Sequence, residues 1–406
     1  MMSARKATHQ LTRQHNRDLV LKTIFEHATI SRAEIARLTK LTRATVSELV
    51  ANLIGEGLVE EVGLGSSIGG KSPILLSLVA DARYLIGMNL AQDKFIGAVV
   101  NLRGEIKATA EIPVSGGDGQ QALQLVYQIL DRLVHNGHKP IVGIGVGTPG
   151  LVNTREGIVL NAVNLDWQDL PLGQLLRSRY SLPVSVLNDS QATAIGEFVY
   201  GGGYPSDSNL VVVIVRHGIG AGILINGRLF QGDGGGAGEI GHVVVQRDGR
   251  LCRCGRRGCL ETVASARAVV QRAQALVKDY PQSVLAADPE KISFDTVVGA
   301  FQADDPLAQH VALEAAQYLG MSLSALIGTL NIQRIVLSGD MARFEKPWLA
   351  AVEKSMRATA LTRMALDTCL EIGKLDFRAC ILGASSSMLL DGYGLLFNQP
   401  ESGEGR

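Results

Sequence analysis

The chain is 406 residues long, 46% apolar and formally neutral, with 39 basic and 39 acidic side chains. That length implies two or three domains, and a net charge of zero leaves any nucleic-acid affinity to a local region. Five cysteines, of which Cys252, Cys254 and Cys259 fall within eight residues, fit a reducing compartment and a metal better than a disulfide framework. The opening SARKATHQLTRQHNRD holds no apolar stretch of signal-peptide length, and no 18-residue apolar run occurs, which argues against a leader or a membrane span and for a cytoplasmic protein.

Residues 1–45 carry nine Lys/Arg against three acids, so the basic charge sits at the N-terminus, as in a small DNA-binding module on a larger sensor. From Arg17, the positions Leu19, Val20, Ile24 and Phe25 share one helical face. SRAEIARL opens with Ser31 and places Glu34 three residues on, a capping box for a second helix. After a short turn, Thr42 is the N-cap of a third helix whose Val46, Leu49, Val50 and Leu53 repeat at helical spacing. Two helices separated by so short a turn make a helix-turn-helix. Arg32, Thr42, Arg43, Thr45 and Ser47 are the side chains expected to meet base edges or phosphates. GLVEEV and ILLSLV read as strands around GLGSSIGGKSP, a wing with Lys71 at its tip. A helical protein-interaction domain with a solvated charged face is the competing reading. It requires spacing, wing and basicity to coincide by chance.

From about residue 83 the pattern is α/β. YLIGMNLAQDKFIGAVVNLRGEIKATAEIPV reads as consecutive strands with tight turns. GGDGQQALQLVYQILDRLVHNG becomes helical, and IVGIGVGTPGLVN is a buried strand running into a glycine turn. VSVLNDSQATAIGEFVYGG reads as strand, polar turn and helix, and LVVVIVRHGIGAGILINGRLFQG as two strands about a glycine loop. Asp189 follows Asn188 at a strand end, a common place for a functional carboxylate, although helix capping alone would account for it. Glu239, His242 and Glu261 flank the cysteine cluster. Carboxylates, an imidazole and an amide together can grip several hydroxyls in fixed directions, which points to a sugar.

GHVVVQRDGRLCRCGRRGCLE carries His242, Cys252, Cys254 and Cys259. One nitrogen with three thiolates favours tetrahedral zinc, and four protein ligands leave no position for activated water, so one structural ion per chain is expected. The loop is rich in glycine and arginine and could hardly order itself by burial. Zinc would pin it and thereby place Glu239 and Glu261. A C-x-C redox pair and free thiols are the alternatives; Cys369 and Cys380 read as core.

These motifs together resemble the ROK family of repressors, open reading frames and kinases, in its regulator branch with the N-acetylglucosamine, glucose and xylose repressors. The segments that carry the resemblance are GEIGHVVVQRDGRLCRCGRRGCLE, GIGVGTPGLV, NAVNLDW, NDSQATAIGE, HGIGAGILINGRLFQG and NIQRIVLSGD. It implies a winged helix-turn-helix over 1–80 and, over 81–406, two α/β lobes of the actin and sugar-kinase fold with sugar and nucleotide sites between them. It implies that Asn164, Asn188, Asp189, Glu239, His242 and Glu261 face the sugar, with Asp189 matching the general base of kinase members. It implies that His242, Cys252, Cys254 and Cys259 hold zinc, the loop 242–259 being the zinc-binding loop.

The departure is at the first phosphate loop, where kinase members carry Asp-x-Gly-Gly-Thr-Lys and this chain has NLAQDK. Asn89 stands for the aspartate, and Ala91, Gln92 and Asp93 replace Gly-Gly-Thr. Phosphoryl transfer depends on positioning and charge neutralisation, so kinase activity is not expected. The expectation is a repressor of carbohydrate uptake or catabolism genes, bound to an inverted repeat as a homodimer, or as a tetramer in a larger assembly, and released by a sugar. A sugar kinase with an added DNA-binding domain is one alternative. A repressor sequestered by a membrane transport protein is the other.

Overall fold

The protein is described from a computed structural model over residues 9–66, 72–91, 93–114, 119–202, 205, 208–390 and 396. In chain order it begins with α1 (His9–Phe25), β1 (Ile30–Ser31), α2 (Arg32–Thr39), α3 (Arg43–Gly55), β2 (Val59–Leu64) and β3 (Ile74–Leu78). There follow β4 (Tyr84–Leu90), β5 (Lys94–Asn101), β6 (Ile106–Pro113), α4 (Gly119–Val134), β7 (Ile141–Thr148), β8 (Leu151–Asn153), β9 (Ile158–Ala162), β10 (Trp167–Leu170), α5 (Leu172–Tyr180) and β11 (Val184–Asn188). The remainder is α6 (Asp189–Gly196), β12 (Leu210–Val215), β13 (Ile219–Ile225), β14 (Arg228–Phe230), α7 (Glu261–Ala264), α8 (Ala266–Leu276), α9 (Phe294–Gln302), α10 (Pro306–Leu330), β15 (Arg334–Ser338), α11 (Glu345–Thr359), α12 (Thr362–Asp367), β16 (Cys369–Ile372) and α13 (Arg378–Leu390).

The N-terminal elements form for the local reasons the sequence supplies. Ser31 accepts from the Glu34 amide while the Glu34 carboxylate accepts from the Ser31 amide, closing the capping box of α2. Thr42 caps α3 by accepting from the Thr45 amide. Val20, Leu21 and Ile24 of α1, Ile35 of α2 and Val46, Leu49, Val50 and Leu53 of α3 are buried together. β2 and β3 pair antiparallel as the wing, with a bulge between Glu61 and Gly63. The two residues of β1, not foreseen as a strand, add to β3 and complete the sheet. Most of the wing tip, Lys71 included, lies outside the described residues.

By contact density the chain divides into two compact units. The first holds Met1–Val146, Pro171–Val186 and Ser385–Arg406, and the second Gly147–Leu170 and Leu187–Ala384. In the first, a five-stranded sheet runs in the order β11-β7-β4-β5-β6. β4, β5 and β7 are nearly continuous apolar runs, as strands covered on both faces must be. Its apolar core is continuous with that of the helix-turn-helix, since Leu85, Leu102, Val142, Leu389 and Leu396 join Leu21, Ile24, Leu53 and Leu76 in one cluster. Position 80/81 falls inside this unit, in the 3-10 turn Ala80–Ala82.

The second unit is built on a sheet ordered β14-β13-β12-β15-β16, with β12, β15 and β16 parallel and β13 and β14 antiparallel. A mixed sheet of this kind, with helices α8 to α11 packed into one core, is the α/β architecture expected. α10 has the length and hydropathy to cross a bilayer, and it buries Leu307, Val311, Ala315, Leu319, Leu323 and Ile327 in that core. Three details differ from the sequence reading. No polar turn separates β11 from α6, because Asn188 is both the last strand residue and the helix N-cap. The glycine-loop segment gives three strands rather than two. Cys380 is buried, but Cys369 is exposed, because it opens β16, the edge strand of the sheet among the described residues.

Candidate functional site

His242 closes a 3-10 turn after Glu239, and the chain then folds into a small knot stitched by backbone bonds. Val245 and Gln246 both donate to the Gly258 carbonyl, Gly258 donates to Arg250, Cys252 to Arg256, and Leu260 to Val243. Gly258 has φ +75°, and any Cβ there would run into the Gln246 carbonyl, so this crossing requires glycine. Little apolar surface is hidden in it; Val243, Val244 and Leu251 are exposed. What the knot brings together is His242, Cys252, Cys254 and Cys259, whose ligand atoms all lie within 4.8 Å of one another.

The spacings inside this group fit a metal corner by corner. Cys254 Sγ is 3.7 Å from Cys259 Sγ, and Cys252 Sγ is 3.6 Å from His242 Nδ1. Tetrahedral bonds of about 2.3 Å place two sulfurs about 3.8 Å apart. Burial and the neighbouring thiols push the Cys259 thiol up to about 12, and burial also raises Cys252. Thiols so crowded ionise together only if a cation sits among them. The four residues therefore form a group able to hold a metal ion.

His242 turns its other nitrogen away from the sulfurs. Nε2 lies 3.9 Å from Glu239 Oε2, too far for a direct hydrogen bond. Glu261, at the start of α7 and almost fully buried, accepts from the Ile219 amide through Oε2 and from Arg267 through Oε1. Gly218 approaches the same carboxylate so closely that a Cβ would lie 2.7 Å from Oε2. Asp189 begins α6 and accepts from the Ser190 amide and hydroxyl. Asn188 Oδ1 caps α6 through the Ser190 and Gln191 amides, and its Nδ2 donates to the Gly150 carbonyl. Asn164 is exposed and accepts from Arg253 of the cysteine loop.

Three acids share this region and act on one another. Burial raises the Glu239 carboxyl, the His242 imidazole opposes the rise, and Asp189 and Glu261 add to it as like charges. Burial also holds Asp189 above the ordinary carboxylate range, against the pull of the Arg216 guanidinium. A raised acid binds its proton in the native state to higher pH than in the unfolded chain. Its contribution to stability therefore falls as pH rises from about 4 through the native value. Asp189→Asn is expected to raise Tm at neutral pH and to flatten the slope of Tm against pH above about 4. Parallel Tm–pH curves for the two proteins would show that Asp189 is not strained by its surroundings.

Arg216, Arg253 and Arg267 were not singled out from the sequence, although each engages this set. Arginines carry no fixed spacing relative to the acids they meet, so only the fold reveals them. In the NLAQDK segment, Asn89 is buried with its Oδ1 unpartnered among the described residues, Asp93 is exposed, and Lys94 is ion-paired with Glu111 at 2.9 Å. Gln92 lies outside the described residues.

On the helix-turn-helix, Arg43 and Ser47 are exposed along α3, and Arg43 makes no ion pair or hydrogen bond among the described residues. Thr42 and Thr45 bond each other through their hydroxyls at 2.9 Å. Arg32 is held by Glu61 of the wing at 2.8 Å. Arg37 and Lys40, in α2 and the turn, are further exposed bases on this module.

A family model described as "ROK family" matches residues 85–390, and one described as "Winged helix-turn-helix DNA-binding" matches residues 16–60. The chain is 32% identical over 390 residues to the xylose repressor of Caldicellulosiruptor bescii, covering 94% of this chain and 97% of that one. It is 33% identical over 328 residues to the glucokinase of Halalkalibacterium halodurans, covering 79% of this chain and 96% of that one. A solved ROK family transcriptional regulator, a homolog of the E. coli MLC protein, superposes with a TM-score of 0.82 at 29% identity over 95% of this chain and 98% of the other.

Proposed function

The chain belongs to the ROK family, and we propose that it is a DNA-binding transcriptional repressor of carbohydrate uptake or catabolism genes, released from its operator by a sugar. The observation that carries this reading is the coexistence, in one chain, of an exposed recognition helix and a clustered set of hydroxyl-gripping side chains. Residues 1–80 read the operator, with Arg43, Thr45 and Ser47 on α3 and Lys71 on the wing. Residues 81–406 are the sensor, in which Asp189, Glu239, His242 and Glu261 hold the sugar, joined by Asn164 and Asn188. We read the ion as one zinc per chain, held by His242 Nδ1 and the three thiolates. It supplies order to the loop rather than a reactive water, since all four positions are taken by protein.

The similarity to a glucokinase makes phosphoryl transfer the second reading. Asp189 supports it. Against it, the segment from Asn89 to Lys94 has Asn89 in place of the kinase aspartate and no glycines, and its lysine is ion-paired with Glu111. A sugar releases DNA only through a higher affinity for the non-binding state, and two half-sites call for a dimer. Fluorescence anisotropy on DNA from upstream of the coding sequence, titrated with pentoses, hexoses and N-acetylhexosamines, tests the proposal. Release by one sugar at sub-millimolar concentration, with no ADP formed from ATP and that sugar, is the expected result. ADP formation at enzymatic rates would make it a kinase, and tight binding unmoved by every sugar would favour a protein partner.

A further inference from the structure

The turn between β5 and β6 grips the helix-turn-helix at the point where its first helix ends. Arg103, in that turn, donates from Nη1 to the Phe25 carbonyl at 2.7 Å and from Nη2 to the His27 carbonyl at 3.1 Å. Its guanidinium also lies 6.0 Å from the centroid of the Phe25 ring. The last carbonyls of a helix have no partner within it, and a cation there satisfies both the acceptors and the helix dipole. The same short segment is held from the wing, because Ser77 donates to the Ala28 carbonyl at 3.0 Å. One junction thus ties α1, the wing and the sensor sheet.

The turn that presents Arg103 is stiff. Asn101, fully buried, accepts from the Arg103 and Glu105 amides and donates to the carboxylates of Asp81 and Glu105. Lys107 is ion-paired with both of those carboxylates. Leu102, also fully buried, sits in the core shared with α1. β5 itself is hydrogen-bonded on both edges and buried from Phe95 to Asn101. At about 3.3 Å per residue it spans about 23 Å from the Asn89–Lys94 segment to the Arg103 turn. Rigid secondary elements of this kind are among the parts that carry coupling between distant sites.

We propose that Arg103 is the positioning residue through which the sensor sheet sets the helix-turn-helix, so that sugar-dependent release passes through its bonds to Phe25 and His27. This rests on the reading of the chain as a sugar-released repressor. A cap serving stability alone would have the same geometry, so the test reads coupling and not only folding. Arg103→Ala leaves Asn101 and Leu102 in place, and Arg103→Lys keeps the charge but loses the two-pronged grip.

For each protein, operator affinity is measured with and without the releasing sugar, sugar affinity by calorimetry, and backbone hydrogen exchange over 26–31 and β4–β6. Arg103→Ala is expected to keep sugar affinity within about twofold while the ratio of operator affinities shrinks by about tenfold, with Arg103→Lys between it and the wild type. Exchange should quicken at 26–31 and stay unchanged in the sheet. An unaltered ratio overturns the proposal, whatever the change in Tm. If no sugar moves the wild-type protein off DNA, it is the sugar-released reading that fails. Arg103 is then judged without sugar, at a temperature where both proteins are fully folded: operator binding weakened by about fivefold in Arg103→Ala upholds its positioning role, and equal affinity overturns it.

Discussion

Replacing Cys259 with serine is expected to strip the ion from the protein and weaken sugar binding by about 100-fold, the upper end of what loss of a supporting shell costs a metal site. Cys259 is fully buried, and Leu260, equally buried, and Glu261 follow it directly. The loop has almost no apolar surface of its own to hide, and its backbone bonds close only if Gly258 and Cys259 stay where they are. Without the fourth corner, His242 is no longer held by Nδ1, and its Nε2 no longer has a fixed bearing on Glu239. Cys254→Ser should also release the ion but cost less in folding, since Cys254 is exposed. Metal content by mass spectrometry and sugar titration on the same samples check both. One equivalent of metal retained in Cys259→Ser would remove Cys259 from the ligand set, and full sugar affinity without metal would break the link between loop and pocket.

How much of this could be read beforehand depends on how local each cause is. The capping box at Ser31 and Glu34, the Thr42 cap and the stripe Val46–Leu49–Val50–Leu53 are decided within one or two helical turns, and all stand as expected. The cysteine loop was legible because soft ligands at close spacing have few other uses. What was not legible depends on distant partners. The arginines at 216, 253 and 267 meet their acids and amide only through the fold. β1 exists only because β3 passes beside it. Cys369 reads as core by its apolar neighbours, yet among the described residues its strand is the edge of the sheet. The capping role of Asn188 was not foreseen either: its Oδ1 starts α6 and one Nδ2 hydrogen goes to Gly150, which leaves the second for a ligand. That rigid cap still serves the site, since it fixes the first turn on which Asp189 sits.

The recognition helix allows a prediction that separates base reading from charge. Arg43→Ala is expected to weaken operator binding by about 10- to 100-fold, the equivalent of about 1–3 kcal/mol for one good base contact, with sugar affinity unchanged. Arg43 opens α3, is exposed and has no partner among the described residues, so its removal leaves no buried group unsatisfied and should not move Tm. Thr45→Ala should cost less, because its hydroxyl already bonds Thr42 and its amide, which donates to the Thr42 hydroxyl, survives the substitution. Arg32→Ala should behave differently again, loosening the wing through loss of the Glu61 pair. The salt dependence of binding distinguishes the modes. If Arg43 reads a base, the loss is confined to one operator position and disappears on non-specific DNA. If it binds phosphate, affinity falls on all sequences alike and the slope of log K against log salt drops by about one. Equal operator affinity for Arg43→Ala and the wild type would place the reading surface elsewhere, with Arg37 and Lys40 the next exposed bases to test.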